Sequence, residues 1–384
     1  MRDLSIIMPC LNESETLGNC ILKAKKSIET LNLDGEIIVA DNGSTDGSIR
    51  IAEDLGARVV HVKEKGYGNA LRGGIDAATG KWIVMADADD SYDFSAISPF
   101  VEKLQDGYDL VMGCRLPKGG GKLMKGAMPW KHRWIGNPTL SGIGRFLFKS
   151  PVTDFHCGMR AFTREAFQEM DLRTTGMEFA SDMVINASLK KMRIVEVPIT
   201  LHKDGRSRPP HLRSWRDGWR HLRFMLIYCP AWLFLVPGIF LLISGGFFGA
   251  RLWLGPIIIG VVGFDTNTMI VCSMAVVVGL QITLFGIFAR VFAIGAGLLP
   301  PTPLWDRLAK FFNLEKGVIF GMVVLFGGII FLIKAFLYWK AASFGMISHS
   351  EGLRQVIPAV TLTTLGVQVI FSSFFLSILG LPRK

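Results

Sequence analysis

The sequence predicts a mostly parallel α/β sheet with helices on both faces, followed by an α-helical transmembrane region. As far as residue 201, short apolar runs alternate with helix-like segments, which is the pattern of parallel strands joined by crossover helices. Beyond Pro230 the composition changes to long apolar stretches. The whole chain has 384 residues, 50% of them hydrophobic, and a mean hydropathy of +0.37, which is too apolar for an ordinary soluble protein.

Five runs predict strands, at residues 4–8, 36–40, 58–62, 82–86 and 109–114. The segments between them predict helices, at residues 16–31, 48–55, 69–78 and 95–104. Open α/β sheets bind ligands at the carboxyl ends of their strands. The loops expected there, at residues 9–13, 41–47 and 87–93, all contain acidic side chains and are the candidate site. Residues 116–138 are rich in Gly, Lys and Pro and predict a mobile loop, either a lid over a substrate or a passive linker.

Four apolar stretches predict membrane spans, near residues 230–249, 268–291, 317–339 and 356–380. Each is about long enough to cross a hydrocarbon core of ~30 Å. Residues 252–264 are apolar but short and contain Gly255 and Pro256, which favours an interfacial or re-entrant loop. A strand-like pattern starts close to Met1, so no N-terminal signal peptide is expected.

The net charge of +10 is concentrated just before the first expected span. Residues 202–223 hold seven Lys or Arg and two Asp. Leucine and tryptophan recur at helical spacing over residues 212–226. Arg213 lies on a different arc of this helix from Trp215 and Trp219. The pattern indicates an amphipathic helix at a membrane surface. A basic band beside membrane spans suits an anionic cytoplasmic leaflet and argues against nucleic acid as the partner.

Basic residues also predict the orientation of the chain. Arg290, Arg307, Lys310 and Lys316 assign the loop between spans two and three to the side of the basic band. We therefore expect an integral, multi-pass protein of a cytoplasmic or inner membrane, with its soluble part and both termini cytoplasmic. The six cysteines have no metal-site spacing and fit a reducing compartment.

Asp87 and Asp89 follow a buried-strand pattern directly, two residues apart. Paired carboxylates repel each other unless a positive charge lies between them. Their hard oxygen ligands suit Mg²⁺ or Mn²⁺, ions that usually work together with substrate phosphates. The alternative is an Asp-rich turn that caps the following helix.

Six motifs in order resemble family 2 glycosyltransferases with the glycosyltransferase-A fold, in the branch that contains dolichyl-phosphate mannose and glucose synthases. They are PCLNE at residues 9–13, DNGSTDG at 41–47, GYGNALR at 66–72, DAD at 87–89, DFHCGMRAF at 154–162 and VEVP at 195–198. The resemblance covers residues 4 to about 228 and implies three parts. These are a cytoplasmic catalytic domain at residues 1–201, an interfacial segment at 202–229 and a transmembrane domain at 230–384.

The resemblance implies roles for residues at the matching positions. A nucleotide would contact Pro9, Asn12, Glu13, Asp41, Gly66, Arg72, Asp87 and Ala88. Glu13 would face the ribose, and Asp41 would bind the base, although the Asp41 motif also fits an ordinary turn with a helix cap at Asp46.

The resemblance also implies a metal site and a phosphate site. Asp89, Asp87 and Ser91 would hold the Mg²⁺ or Mn²⁺, with Ser91 standing where the mannose synthase pattern has Gln. Arg115, Arg133 and Arg160 would gather around phosphates, since a guanidinium fits phosphate oxygens well. Each of these arginines could instead be part of a surface ion pair. The acceptor phosphate and the membrane would contact Arg133, Arg206, Arg208, Arg213, Trp215 and Trp219.

The expected reaction is inverting transfer of a hexose from a UDP- or GDP-linked sugar to a polyprenyl phosphate, such as undecaprenyl or dolichyl phosphate. One alternative that stays open is an enzyme that glycosylates a hydroxyl-bearing lipid, because Asp182 could be its general base. Asp182 could equally lie on a solvated helix face with Glu178. The other open alternative is a non-catalytic lipid-carrier membrane protein. A homo-oligomer is possible on the composition of the spans.

Overall fold

The computed structural model describes residues 2–207, 214–303 and 313–381, apart from the side chains of residues 214, 215 and 217. The chain divides into two compact units, Met1–Met225 and Leu226–Lys384. The division falls inside the segment that the sequence assigns to the membrane interface.

The first unit alternates strands and helices as the sequence predicts. Its strands are β1 (Arg2–Cys10), β2 (Gly35–Asp41), β3 (Arg58–His61), β4 (Gly80–Met85), β5 (Leu110–Cys114), β6 (Lys122–Leu123), β7 (Arg160–Thr163), β8 (Ile194–Pro198) and β9 (Thr200–Leu201). Its helices are α1 (Leu17–Thr30), α2 (Ser48–Asp54), α3 (Tyr67–Ala77), α4 (Ser98–Gln105), α5 (Asn137–Phe148), α6 (Arg164–Met170), α7 (Phe179–Leu189) and α8 (Ser214–Ile227).

The main sheet has the strand order β3-β2-β1-β4-β7-β5-β8. All neighbours are parallel except β7, which runs antiparallel to both β4 and β5. β1 lies between β2 and β4. The chain therefore adds β2 and β3 on one side of β1 before β4 is added on its other side. Such a switch point leaves a crevice at the carboxyl ends of the strands. The buried apolar side chains of β1, such as Leu4, Ile6 and Met8, anchor these strands in the core.

Two expectations for this unit are corrected. The helix expected from residue 95 begins at Ser98, after a 3₁₀ turn at Phe94–Ala96. The loop expected over residues 116–138 contains β6, which pairs with β9 in a second small sheet. Its last residues are already helical, because a π-helical turn at His132–Gly136 leads directly into α5.

The second unit contains four helices long and apolar enough to span a membrane, at Ala231–Trp253, Thr266–Gly295, Leu314–Ala341 and His349–Leu379. They are named here α9, α10, α11 and α12, with α9 proper at Val236–Trp253. Long apolar helices thus lie at the four positions where spans were expected. Where a re-entrant or interfacial loop was expected, β10 (Ile257–Ile259) and β11 (Val262–Phe264) form an antiparallel hairpin.

Small residues allow the apolar helices to approach closely. A Cβ at Gly279 would lie 2.5 Å from the backbone nitrogen of Leu242, and one at Gly366 would lie 2.5 Å from that of Leu325. The amide of Gln368 donates to Gln281 across the α10–α12 interface at 3.0 Å. Small residues and polar pairs are the usual means by which helices associate in lipid.

Candidate active site

The loops after β1 and β2 are joined by hydrogen bonds. The backbone N–H groups of Asn12 and Glu13 donate to the hydroxyl oxygens of Ser44 (3.0 Å) and Ser48 (2.9 Å). In return, the Asn12 amide oxygen accepts from the Thr45 N–H at 2.7 Å. The two predicted nucleotide loops therefore form one rigid wall, and Asn12 adopts a left-handed conformation (φ 58°) within it.

Asp41 and Asp46 stabilise this wall by accepting hydrogen bonds from its backbone. Asp41 is buried and accepts hydrogen bonds from the backbone N–H groups of Gly43 and Ser44, both at 3.0 Å. Burial would raise the pKa of Asp41, but the hydrogen bonds from Ser44 and Gly43 lower it. Asp46 accepts from Ser48 and Ser14, and its pKa falls to about 2. Asp41 thus holds its own turn, as the turn alternative expects, and its role at a base stays a prediction.

The two aspartates after β4 point into the crevice. The Tyr67 hydroxyl donates to Asp87 Oδ1 at 2.8 Å. Ser91 donates through its hydroxyl to Asp89 Oδ1 at 2.6 Å. Burial and the neighbouring Asp89 carboxylate raise the pKa of Asp87 to about 6. Asp89 is buried and Asp87 is partly exposed, and two neighbouring carboxylates with this little solvent around them attract a cation.

Arg206 supplies a positive charge at this point. Its guanidinium donates to Asp89 Oδ2 at 2.6 Å and to Glu13 Oε1 at 3.1 Å, joining the loops after β4 and β1. These three side chains are 8 to 13% exposed. Burial lowers the pKa of Arg206, but the Asp89 and Glu13 carboxylates raise it above its usual value. The backbone N–H of Gly205 also donates to the carbonyl of Asp89, at 3.0 Å.

A polar cavity of about 250 Å³ opens beside this cluster. Its lining comes from the loops after β1 and β2 together with Arg206, namely Asn12, Glu13, Ser14, Glu15, Thr45, Asp46 and Arg206. Pro9 and Ala88 lie behind it: Pro9 pairs with Ala40 in the sheet, and the Ala88 carbonyl accepts from the Thr16 hydroxyl at 2.7 Å. The structure thus brings Glu13, Asp89 and Arg206 together over sequence separations of up to 193 residues, with Asn12 in the lining of the same cavity.

The glycine motif at the start of α3 contacts protein where a nucleotide contact was expected. A Cβ at Gly66 would lie 2.4 Å from the carbonyl oxygen of Thr175. Arg72 donates to the carbonyls of Leu172 and Thr174. The close backbone approach in this motif therefore serves the packing of residues 172–176, and nothing in this geometry directs Arg72 to a nucleotide.

Arg115 and Arg160 also have protein partners. Arg115 forms a two-pronged ion pair with the fully buried Asp154, with both N···O distances at 2.7 Å. Arg160 is completely buried and donates to the carbonyls of Cys157, Phe155 and Ala180. Each nitrogen of both guanidiniums thus has a protein partner, and a role of these arginines at phosphates stays a prediction.

Asp182 is not a solvated helix residue. It is fully buried and accepts from the backbone N–H groups of Arg173 and Thr174, from the Thr174 hydroxyl and from Asn186. Burial raises the pKa of Asp182. Its Oδ2 fixes the loop that packs on Gly66, and its Oδ1 accepts from Asn186 on the same helix, so both oxygens have partners within the protein.

The residues expected at the acceptor and the membrane are described in part. Arg133 is half-buried and its guanidinium lies 5.1 Å from the centre of the Trp134 ring. Trp219 on α8 is exposed. Arg208, Arg213 and the Trp215 side chain lie outside the described residues.

Sequence reasoning missed several residues at the site. Tyr67 fixes Asp87, and Tyr92 accepts through its hydroxyl oxygen from the Gly158 N–H at 2.8 Å beside the same carboxylate. Asn42 holds the segment before α3 by donating to the carbonyls of Val62 and Glu64. Tyr67 lies inside the GYGNALR motif, in which a role was expected only for Gly66 and Arg72.

Comparison with known proteins assigns the chain to a family. Residues 5–171 match the model described as "Glycosyl transferase family 2", and residues 287–380 match "Glycosyltransferase family 2 C-terminal transmembrane region". The low-salt glycan biosynthesis hexosyltransferase Agl6 of Haloferax volcanii is 36% identical over 98% of this chain and 89% of its own length. A dolichyl-phosphate hexose transferase of the same organism is 30% identical over 51% of this chain and 82% of its own length.

Among solved structures, glucosyl-3-phosphoglycerate synthase from Mycobacterium tuberculosis, in complex with Mn²⁺, UDP and glucosyl-3-phosphoglycerate, aligns with a TM-score of 0.45 and 23% identity. The alignment covers 59% of this chain and 78% of that protein. The expected family and fold class are confirmed by the family matches and the near full-length relative. The chain belongs to the family 2 glycosyltransferases and combines their glycosyltransferase-A-type domain with a C-terminal transmembrane region.

Proposed function

We propose that this protein transfers a hexose from a nucleotide sugar to the phosphate of a polyprenyl phosphate, with inversion at the anomeric carbon. The observation that carries the proposal is the cluster in which Glu13 and Asp89 hold the guanidinium of Arg206 at the β1–β4 switch point. That cluster suits a cation-bound diphosphate. Two relatives point the same way, since their names are hexosyltransferase and dolichyl-phosphate hexose transferase.

The residues at the crevice fit a divalent cation. Asp87 and Asp89 offer carboxylate oxygens, which Mg²⁺ and Mn²⁺ prefer. In the part of the chain that the structure describes, no group of three or more His, Cys, Asp or Glu converges on one point. Such a site suits an ion that takes its remaining ligands from substrate phosphates and water. When bound, the ion would neutralise charge on the departing nucleoside diphosphate.

The protein's own residues would orient both reactants. Ser91 and Tyr67 hold the carboxylates of Asp89 and Asp87 in fixed directions, and the joined β1 and β2 loops form the wall of the donor cavity. The guanidinium of Arg206 would bind phosphate oxygens of the donor when Asp89 serves as a metal ligand. Preorganised charges of this kind contribute strongly to catalysis.

No general base is required for this acceptor. A phosphate monoester has a second pKa near 6 and is largely ionised at neutral pH. One of its oxygens would attack the anomeric carbon, the bond from that carbon to the diphosphate would break, and the nucleoside diphosphate would leave. A hydroxyl-bearing lipid would need a base, and the burial of Asp182 removes the residue that sequence reasoning offered for that task. This favours the phosphate acceptor.

The test is sugar transfer by the purified full-length protein in lipid. The panel comprises radiolabelled UDP- and GDP-hexoses, dolichyl and undecaprenyl phosphate, a diacylglycerol, and Mg²⁺ or Mn²⁺. Asp89→Asn is the inactivating variant. Asp90→Asn is its matched control, because Asp90 is the adjacent carboxylate but pairs with Lys23 outside the crevice.

We expect an acid-labile prenyl-phosphate sugar that Asp89→Asn loses and Asp90→Asn retains. Transfer to diacylglycerol alone would overturn the acceptor assignment in favour of a hydroxyl-bearing lipid. Absence of both transfer and nucleotide-sugar binding would favour a non-catalytic lipid-carrier protein.

A further inference from the structure

Three polar side chains from separate parts of the chain meet inside the first unit. They are His156 in the loop before β7, Ser181 on α7 and His221 on α8, and we name them the histidine cluster. The Ser181 hydroxyl oxygen lies 2.8 Å from His221 Nδ1 and 3.4 Å from His156 Nε2. The two imidazole rings lie 4.6 Å apart, edge to face. Ser181 and His221 are both buried, so the cluster is part of the packing between α7 and α8.

The single hydroxyl of Ser181 connects the two rings. A serine hydroxyl has one proton, so Ser181 donates to one of the two facing nitrogens and accepts from the other. Burial and the neighbouring His221 ring hold the pKa of His156 well below its usual range, so His156 is neutral at pH 7 and can take either part. Within the described part of the chain, the other nitrogen of this ring, Nδ1, is buried without a hydrogen-bond partner. The contact with Ser181 therefore orients the His156 ring.

His156 belongs to a loop that lies directly against Asp87. Two residues after His156, the Gly158 N–H donates to the Tyr92 hydroxyl oxygen at 2.8 Å. A Cβ at Gly158 would lie 2.8 Å from Asp87 Oδ2, so only a glycine leaves room for the carboxylate here. Any displacement of this loop therefore moves the surface on which the Asp87 carboxylate rests.

His221 places the other end of the cluster on α8. His221 and Met225, about one helical turn apart, are both buried, so this face of α8 packs on the first unit. α8 ends at Ile227, and the first spanning helix begins at Ala231. The cluster thus connects the helix that leads into the spans with the loop behind Asp87.

We propose that His221 is a positioning residue for Asp87: through Ser181 and His156 it holds the loop at residues 154–158 against that carboxylate. A displaced α8 would then loosen Asp87. The consequence for catalysis rests on the proposed function, because it requires Asp87 to hold the cation of the donor. The position of the loop does not depend on that function, and the experiment measures the two separately.

The experiment uses the full-length protein in nanodiscs, labelled with fluorotyrosine. The fluorine NMR signal of Tyr92, assigned by its loss in Tyr92→Phe, reports on the contact with Gly158. His221→Leu removes the imidazole at similar volume, whereas His221→Asn keeps a polar atom near the position of Nδ1. Ser181→Ala removes the connecting hydroxyl. Arg216→Gln, at an exposed position on α8, is the matched control.

We expect the Tyr92 signal to shift or broaden in His221→Leu and in Ser181→Ala. It should keep its wild-type position in His221→Asn and in Arg216→Gln. The thermal unfolding midpoint establishes that each variant is folded, and Ser181→Ala tests the same link if His221→Leu does not fold. A wild-type Tyr92 signal in a folded variant that lacks the link would overturn the proposal.

A second readout follows the crevice itself. Mn²⁺ affinity without nucleotide, measured by electron paramagnetic resonance, should fall about tenfold in His221→Leu, the lower end of the effect of residues that orient metal ligands. His221→Asn should restore it. A lower unfolding midpoint with unchanged Mn²⁺ affinity would mean a purely structural role and would overturn the proposal. If the wild-type protein bound no Mn²⁺, the proposed function would lose its metal site, and the Tyr92 signal would still decide whether His221 positions the loop.

Discussion

Replacing Arg206 by Gln should make the protein bind Mn²⁺ more tightly in the absence of nucleotide. The guanidinium of Arg206 donates to Asp89 Oδ2 at 2.6 Å and Glu13 Oε1 at 3.1 Å. A divalent cation that binds Asp89 must displace it. Glutamine keeps a polar side chain but removes the charge, so the variant offers the carboxylates without the competing cation.

The expected size follows from the two hydrogen bonds that the cation must break. A hydrogen bond to a charged group contributes about 1.5–3 kcal/mol to stability. The lower end for each bond gives about 3 kcal/mol for both together. Since 1.4 kcal/mol corresponds to a factor of ten, Mn²⁺ affinity should rise roughly 100-fold.

The assay is titration of free Mn²⁺ by electron paramagnetic resonance, with the full-length protein in detergent. Asp89→Asn in the Arg206→Gln background should remove the gain. Arg173→Gln is the control, because Arg173 pairs with Asp171 at an exposed position. An affinity that is unchanged or weaker in Arg206→Gln would refute the idea that the guanidinium occupies the position of the cation.

Three further changes test the framework around the site. Asp154→Asn should lower stability by about 3–5 kcal/mol, because it leaves the buried guanidinium of Arg115 without its partner. Thermal unfolding measures this loss. Asp171→Asn, at an exposed position, is a near-neutral control. Gly68→Ala should cost about 1–3 kcal/mol, since its Cβ would lie 2.9 Å from the Thr174 carbonyl oxygen, and an unchanged midpoint would contradict the packing argument. Burial and His221 hold the pKa of His156 well below its usual range. Below pH ~6.5 the unfolded chain therefore binds a proton at His156 that the folded chain does not, so the free energy of unfolding falls towards pH 5. His156→Gln should lose less stability between pH 7 and pH 5, as measured by the unfolding midpoints at the two pH values.

The strands, the spans and the acidic strand ends could be predicted because their signals are local. Each of β1 to β5 is a contiguous apolar run, and the carboxyl ends of parallel strands must meet at one edge of the sheet. That rule brings Glu13 and Asp89 together without knowledge of any side-chain contact. The antiparallel β7 could not be predicted in this way, because strand direction depends on the path of the chain between residues 115 and 160.

The roles of the arginines could not be predicted, because an arginine's sequence context does not reveal its partners. Arg160 donates to three backbone carbonyls and Arg72 to two, and carbonyls occur at every residue. Arg206 reaches carboxylates 117 and 193 residues away. Sequence reasoning assigned Arg206 to the lipid side, whereas its contacts in the structure are with Glu13 and Asp89.

The distribution of charge in the first unit bears on how two anionic reactants could meet. A nucleoside diphosphate and a lipid phosphate are both anionic and repel each other. A single basic pocket would bind either one and would not distinguish between them. In the proposed function, the carboxylates of Glu13, Asp87 and Asp89 would attract the donor only together with a cation, whereas residues 116–153 offer seven basic side chains and no acidic ones. The donor would then be selected by its metal and the acceptor by its bare phosphate.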